Sequence, residues 1–171
     1  MTLSSDNQSD AFLGCAPHNH QHCIDDALRT AREQCIQSGA RLTPLRERVL
    51  ELVWQSHEPL GAYQILESLT REDGRRSAPP TVYRALEFLL EQGLVHRIAS
   101  LNAFIGCPFP GKAHEGYFMI CSHCSVAIEI QADTLQAQLH QLGEAHGFQI
   151  EQSVVEVSGC CSACRQAGIA E

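Results

Sequence analysis

The sequence predicts an α+β chain of two unlike parts, a set of helices closed by a β-hairpin in the N-terminal half and a small α/β unit in the C-terminal half. Three observations predict it. Helical apolar patterns give way to short strand-like runs after Gly93. Charge divides the chain in the same way: residues 24–106 hold ten of the twelve Lys/Arg against eleven Asp/Glu, and residues 107–171 hold two against seven. Two Cys-x-x-Cys pairs, Cys121/Cys124 and Cys161/Cys164, frame the C-terminal unit with 36 residues between them.

Residues 1–23 read as a flexible polar tail with a cluster of Cys15, His18, His20, His22 and Cys23. A first helix is expected over 24–38, closed by Gly39. Thr43 is a suitable N-cap and Pro44 suits the first helical position, where a missing N–H costs nothing. Leu45, Val49, Leu52 and Val53 then give the second helix one apolar face, and Glu58-Pro59 ends it. A third helix is expected over about 62–72, with Ala62, Ile65, Leu66 and Leu69 inward. After a loop at 73–77, Pro79-Pro80 leads into a fourth helix over 81–92, buried along Val82, Leu86, Leu89 and Leu90 and ended by Gly93. Runs 94–98 and 103–106 flank Ser100-Leu101-Asn102 as a hairpin, which completes the order of a winged helix over 24–106.

Residues 107–115 read as a hinge and 116–165 as the second unit. Strands are expected at 117–120, 126–130 and 150–157, with an amphipathic helix over 133–145 carrying Leu135, Leu139 and Leu142 on one face. About 50 residues make a poor core by themselves. Four thiolates in two tight turns saturate a tetrahedral Zn²⁺ with no open position, and metal binding of that kind contributes on the order of 10 kcal/mol to folding. Unligated surface cysteines are the plainer alternative. Strand 154–157 and the helix face leave apolar surface that a second copy would cover.

The N-terminal residues lack Lys and Arg and hold no long apolar run, so no secretory signal is read there, and no stretch reaches the ~18 apolar residues of a membrane span. The chain is expected to be cytoplasmic, and its nine cysteines to be ligands or thiols rather than disulfides. A net charge of −8 argues against a uniformly basic nucleic-acid binder. The N-terminal half is near neutral and is able to present a local basic face, with Thr81, Tyr83, Arg84 and Glu87 on the exposed side of the fourth helix, where a recognition helix reads DNA.

The runs RLTPLRERVLELV (41–53), GAYQIL (61–66), APPTVYRALEFLLEQGLVHR (78–97), FMICSHC (118–124) and SGCCSAC (158–164) closely resemble the ferric uptake regulator family, over about residues 24–165. The resemblance implies a homodimeric, metal-dependent repressor with an N-terminal winged-helix DNA-binding domain joined by a hinge to an α/β dimerisation domain. It implies a structural zinc site at Cys121, Cys124, Cys161 and Cys164, with Cys160 standing beside Cys161. It implies a regulatory site at His96, Cys107, His114 and Glu129, hence two Zn²⁺ per subunit. Two imidazoles, a thiolate and a carboxylate suit Zn²⁺ and disfavour Mg²⁺ and Mn²⁺, though affinity alone does not exclude Cu or Ni. Iron-sensing relatives carry a His-rich run before the first Cys pair, and GKAHEGYFMIC has only His114. That departure implies a zinc response, and control of zinc-uptake genes; Glu115 and His123 are alternative ligands.

The family also implies base contacts from Tyr63 and Arg84, with Arg41, Arg46 and Tyr83 better suited to phosphate and Thr81 beside them. An Asp–Arg bridge between neighbouring dimers in some relatives falls here on Glu67 and on Thr70, next to Arg71, which leaves cooperative contact between dimers open. The expected partners are double-stranded operator DNA and a second copy, with no small-molecule substrate. Two rival functions were weighed. A zinc hydrolase would use Cys107, His114 and Glu129, but no HExxH or GxSxG motif is present. A zinc-storage protein would need neither the Arg84 helix nor the hairpin.

Overall fold

A computed structural model of the chain describes residues 20–56, 58–73, 78–111 and 114–169. Of the tail cluster, Cys15 and His18 lie outside the described residues. Helix α1 spans His20–Ser38, so His22 and Cys23 are on it rather than before it. Ile24, Ala31 and Cys35 form its buried stripe, and Gly39, at φ +69°, turns the chain away. Helix α2 spans Pro44–Trp54; Thr43 is its extended N-cap and accepts the Arg46 N–H at 3.4 Å.

A two-residue strand, β1 (Leu60–Gly61), precedes helix α3 (Ala62–Asp73). It was not anticipated, because two residues carry no readable alternation. Helix α4 spans Pro79–Glu91, starting at the prolines themselves, since they preset φ for a first helical turn. Strands β2 (Val95–Ile98) and β3 (Ala103–Gly106) form the antiparallel wing, and β1 pairs with the other edge of β3. Residues from α1 to β3 share one core around Leu50, Leu52, Ile65, Leu69, Leu86 and Leu89. Leu45, Leu66 and Leu90 were expected inside and sit half-buried at its margin.

In the C-terminal unit, β4 (Gly116–Cys121) is central, with β5 (Ala127–Ile130) antiparallel on one edge and β6 (Val154–Gly159) parallel on the other. Helix α5 (Asp133–Ala145) makes the crossover, and a short α6 (Ser162–Gln166) follows β6. The third strand lies later than the 150–157 expected. Its register explains the shift: Gly159 stands opposite Cys121 and accepts the Ser122 N–H at 2.8 Å, so β6 runs on until the two Cys pairs meet. Helix α5 has the expected span but buries only Gly143, and Leu142 is 58% exposed. No helix among the described residues is long and apolar enough to cross a membrane.

The two units meet through the wing. Ile98 and Ile105 pack on Phe118, Ile120 and Ala127, one apolar cluster shared by the two sheets. The wing is in turn anchored at its base, where a Cβ added to Gly106 would lie 2.3 Å from the Trp54 ring. Gly106→Ala is therefore expected to destabilise the N-terminal unit by about 1–3 kcal/mol, the usual cost of overpacking a core. Chemical denaturation followed by Trp54 fluorescence checks this, and an unchanged midpoint would show that the indole gives way freely.

Candidate functional site

Two groups of metal-ligating side chains converge among the described residues: Cys121, Cys124, Cys161 and Cys164 in one, and His96, Cys107, His114 and Glu129 in the other. Within each group all donor atoms lie within 4.8 Å of one another.

The cysteine group forms where the turn after β4 meets the chain leaving β6. Ser125, at φ +59°, closes the first turn. Cys124 Sγ lies 3.8 Å from Cys161 Sγ, close to the roughly 3.8 Å edge of a tetrahedron with 2.3 Å Zn–S bonds. The backbone prepares thiolates: Cys161 N–H donates to Cys121 Sγ and Cys164 N–H to Cys161 Sγ, both at 3.4 Å. N–H groups of Cys161, then Cys124 and His123, bring the Cys121 pKa down to about 5. Burial pushes the Cys164 thiol up, so this cysteine relies on a cation to ionise. Cys160 stays out of the group; its thiol faces the Cys161 carbonyl at 3.5 Å.

The second group draws one donor from each of several segments. His96 sits on β2 and Cys107 just past β3, His114 on the linker, and Glu129 on β5. His114 Nε2 lies 3.2 Å from His96 Nε2, 3.4 Å from Cys107 Sγ and 2.9 Å from Glu129 Oε1. His96 Nε2 is 3.1 Å from the same oxygen. Zn–N and Zn–O bonds near 2.0–2.1 Å make a tetrahedron with edges of roughly 3.3 Å, so these separations suit four donors around one ion.

The electrostatics also favour a cation here. Glu129 is only 8% exposed; the His96 and His114 imidazoles face its Oε1 at 3.1 and 2.9 Å, while Oε2 makes no hydrogen bond. A buried charge left in that condition is costly. Burial, then the charge of Glu129, raises Cys107 to about 12, while the Phe109 N–H at 3.4 Å opposes the rise. Two imidazoles, a buried thiol and a buried carboxylate thus face one another, and a divalent ion suits all four.

Two aromatic residues that sequence reasoning missed hold the imidazoles. The Phe118 ring lies edge-on to His96 at 5.4 Å, and the Phe109 ring edge-on to His114 at 6.0 Å. Strand alternation marks Phe118 as buried but does not say which sheet it meets. The alternative ligands lie elsewhere: Glu115 accepts the Tyr117 hydroxyl at 2.8 Å, and His123 is exposed in the turn between Cys121 and Cys124. Cys35 is buried in the N-terminal core.

The suggested DNA residues form no single pocket. Tyr63 projects from the first turn of α3, 69% exposed, and Thr81, Tyr83 and Arg84 are exposed at the start of α4. Arg41 is exposed ahead of α2. Arg46 is otherwise engaged: its guanidinium stacks 3.6 Å over the Phe88 ring and donates to the Arg41 carbonyl at 2.5 Å. These contacts hold the half-buried Arg46 side chain between Phe88 and the segment that carries Arg41.

The family model described as "Ferric uptake regulator family" matches residues 37–158. The zinc uptake regulation protein of Escherichia coli (strain K12) is 39% identical over 140 residues, covering 81% of each chain. Among solved structures, a zinc uptake regulator complexed with zinc and DNA superposes with a TM-score of 0.80 at 34% identity, over 86% of this chain and 98% of that one. Holo XcZur gives 0.76 at 39% identity, over 83% and 99%.

Proposed function

This chain belongs to the ferric uptake regulator family, and on that premise we propose that it is a zinc-responsive transcriptional repressor, binding operator DNA as a homodimer and controlling zinc-uptake genes. The observation that carries this reading is the convergence of His96, Cys107, His114 and Glu129 from the wing, the linker and the β5 strand. Zinc, when bound, supplies the positive charge that lets a thiolate and a buried carboxylate share one small volume.

The chain's own residues do the rest. His96 commits the wing, Cys107 and His114 the hinge, and Glu129 the C-terminal sheet, so their joint engagement fixes how each winged helix sits on its sheet. In a symmetric pair, that contact fixes the separation of two recognition helices, which has to match two half-sites. Moving such a switch from mostly open to mostly closed takes about 5 kcal/mol of differential affinity, within reach of a four-ligand site. Four protein donors leave no open position of the kind a catalytic zinc keeps, which favours a regulator over a hydrolase.

The cysteine group holds the other zinc ion of each subunit and closes the small C-terminal fold. Met119, Leu142, Phe148, Val154 and Val157 are each about half exposed or more; that apolar surface, on the sheet, α5 and the turn that follows α5, is what a second copy covers. On the head, Tyr63 and Arg84 read bases, while Arg41 and Tyr83 hold phosphate, with Thr81 beside them. The acidic C-terminal unit stays away from the duplex, and the protein works in the cytoplasm.

Three sets of substitutions test these assignments. Glu129→Ala and Cys107→Ser are expected to keep the dimer and one zinc per chain, read by light scattering and metal analysis. Each should raise the free zinc needed for operator binding by at least about 100-fold; normal repression by both would overturn the site. Cys161→Ser is expected to lose the remaining zinc and the C-terminal fold by circular dichroism, and Cys160→Ser neither. Arg84→Ala should cost roughly 1–3 kcal/mol against the preferred operator and relax its sequence preference. Arg41→Ala should weaken all sequences alike and reduce the salt slope by about one. Fluorescence anisotropy at several salt concentrations separates those two outcomes.

A further inference from the structure

Three residues form one row across the C-terminal sheet. Glu129 on β5 and Glu156 on β6 both stand opposite Phe118 on β4. Residues in one such row point to the same face of a sheet, and in this row that face meets the wing. The two carboxylates are two strands apart, roughly 10 Å. The wing crosses from one to the other. His96 is at the Glu129 end, Ile98 packs with the Phe118 cluster in the middle, and the wing tip reaches Glu156. There Glu156 Oε1 accepts the Ala99 N–H at 2.6 Å and Oε2 accepts the Ser100 N–H at 3.0 Å.

We propose that Glu156 is a metal-independent positioning residue, which clasps the wing tip and thereby sets the zinc concentration at which the closed arrangement forms. The inference rests on the regulatory reading above and adds to it a second contact between head and sheet that no metal donor makes. Two hydrogen bonds from backbone N–H groups to one carboxylate are short, charge-assisted and specific for that position of the wing. Burial alone would raise the pKa of Glu156, but the Ser100 hydroxyl and both N–H groups outweigh it and hold the carboxylate below its usual range. The clasp therefore favours the closed arrangement whether or not zinc is present. A ligand that needs a partly populated state binds in proportion to that population. Loosening the clasp should thus raise the zinc requirement without touching a ligand or a DNA contact.

The turn supplies a matched pair of variants. Asn102 N–H bonds the Ala99 carbonyl at 3.2 Å, so Ser100 is the second residue of the turn, a position that favours proline. Ser100→Pro deletes one clasped N–H and the Ser100 hydroxyl from the wing side, and Glu156→Ala deletes the acceptor. Zinc titrations of operator binding on the full chain are expected to show a shift to about tenfold higher free zinc for Glu156→Ala, and about threefold for Glu156→Gln, which keeps one carbonyl acceptor. The double variant Glu156→Ala/Ser100→Pro should be no worse than Glu156→Ala. DNA affinity at saturating zinc and the cysteine-bound zinc should match wild type, which a merely destabilised fold would not do. Amide exchange read by NMR gives a function-free check: the Ala99 and Ser100 amides should exchange at least tenfold faster in Glu156→Ala. Equal exchange, additive shifts in the double variant, or a zinc response identical to wild type would overturn the clasp alone. Wild-type DNA binding that ignores zinc would overturn the regulatory reading and the clasp's role with it.

Discussion

A buried carboxylate faced by two imidazoles and a thiol is the constraint around which this molecule is arranged. Glu129 is placed there by its register on β5, where the residue opposite is Phe118, and Phe118 in turn lies edge-on to His96. The wing docks on that face through apolar contacts from Ile98 and Ile105. Burial makes the contact costly without a cation and strong with one, because the same low dielectric that penalises a lone carboxylate magnifies its attraction to an ion. On the proposed reading, this is how a small ion commands the position of a whole domain.

The two halves solve different stability problems. The N-terminal unit closes a continuous core from α1 to β3 and is held by ordinary side-chain burial. The C-terminal unit has a three-stranded sheet, one helix that buries little, and a small cluster of cysteines with Val126. On the proposed reading, a metal cross-link at the cysteine turns and a second copy over its exposed apolar side chains make up the difference. A metal and a second copy are the two means small domains use when their own core is insufficient. On the proposed reading both also serve regulation, since a pair of chains presents two reading heads at once.

Charge follows the same division. The exposed Arg41, Tyr63, Tyr83 and Arg84 all lie on the head, whereas the lower unit carries Glu115, Glu144, Glu151 and Glu156 and few cations. Net acidity and DNA binding are compatible because the potential a phosphate meets is local on the scale of a Debye length.

The sequence by itself determined the order of the elements other than β1 and α6, the start of α2 at Thr43-Pro44, the wing, the two cysteine pairs and, through its resemblance to a family, the eight metal-ligand candidates. These are local patterns, or motifs with fixed spacing, and local chemistry is enough to write them. Tertiary structure alone decided the rest. It placed β6 at 154–159, because strand register answers to the meeting of two distant cysteine turns. It kept Arg46 on Phe88, left Cys160 outside the thiolate group and put Phe118 between two carboxylates. It brought Glu156 to the wing tip, 56 residues from Ser100 along the chain. None of these is legible from spacing, because each is a contact between segments whose separation in sequence carries no information about their separation in space until the sheet is paired and the wing is docked.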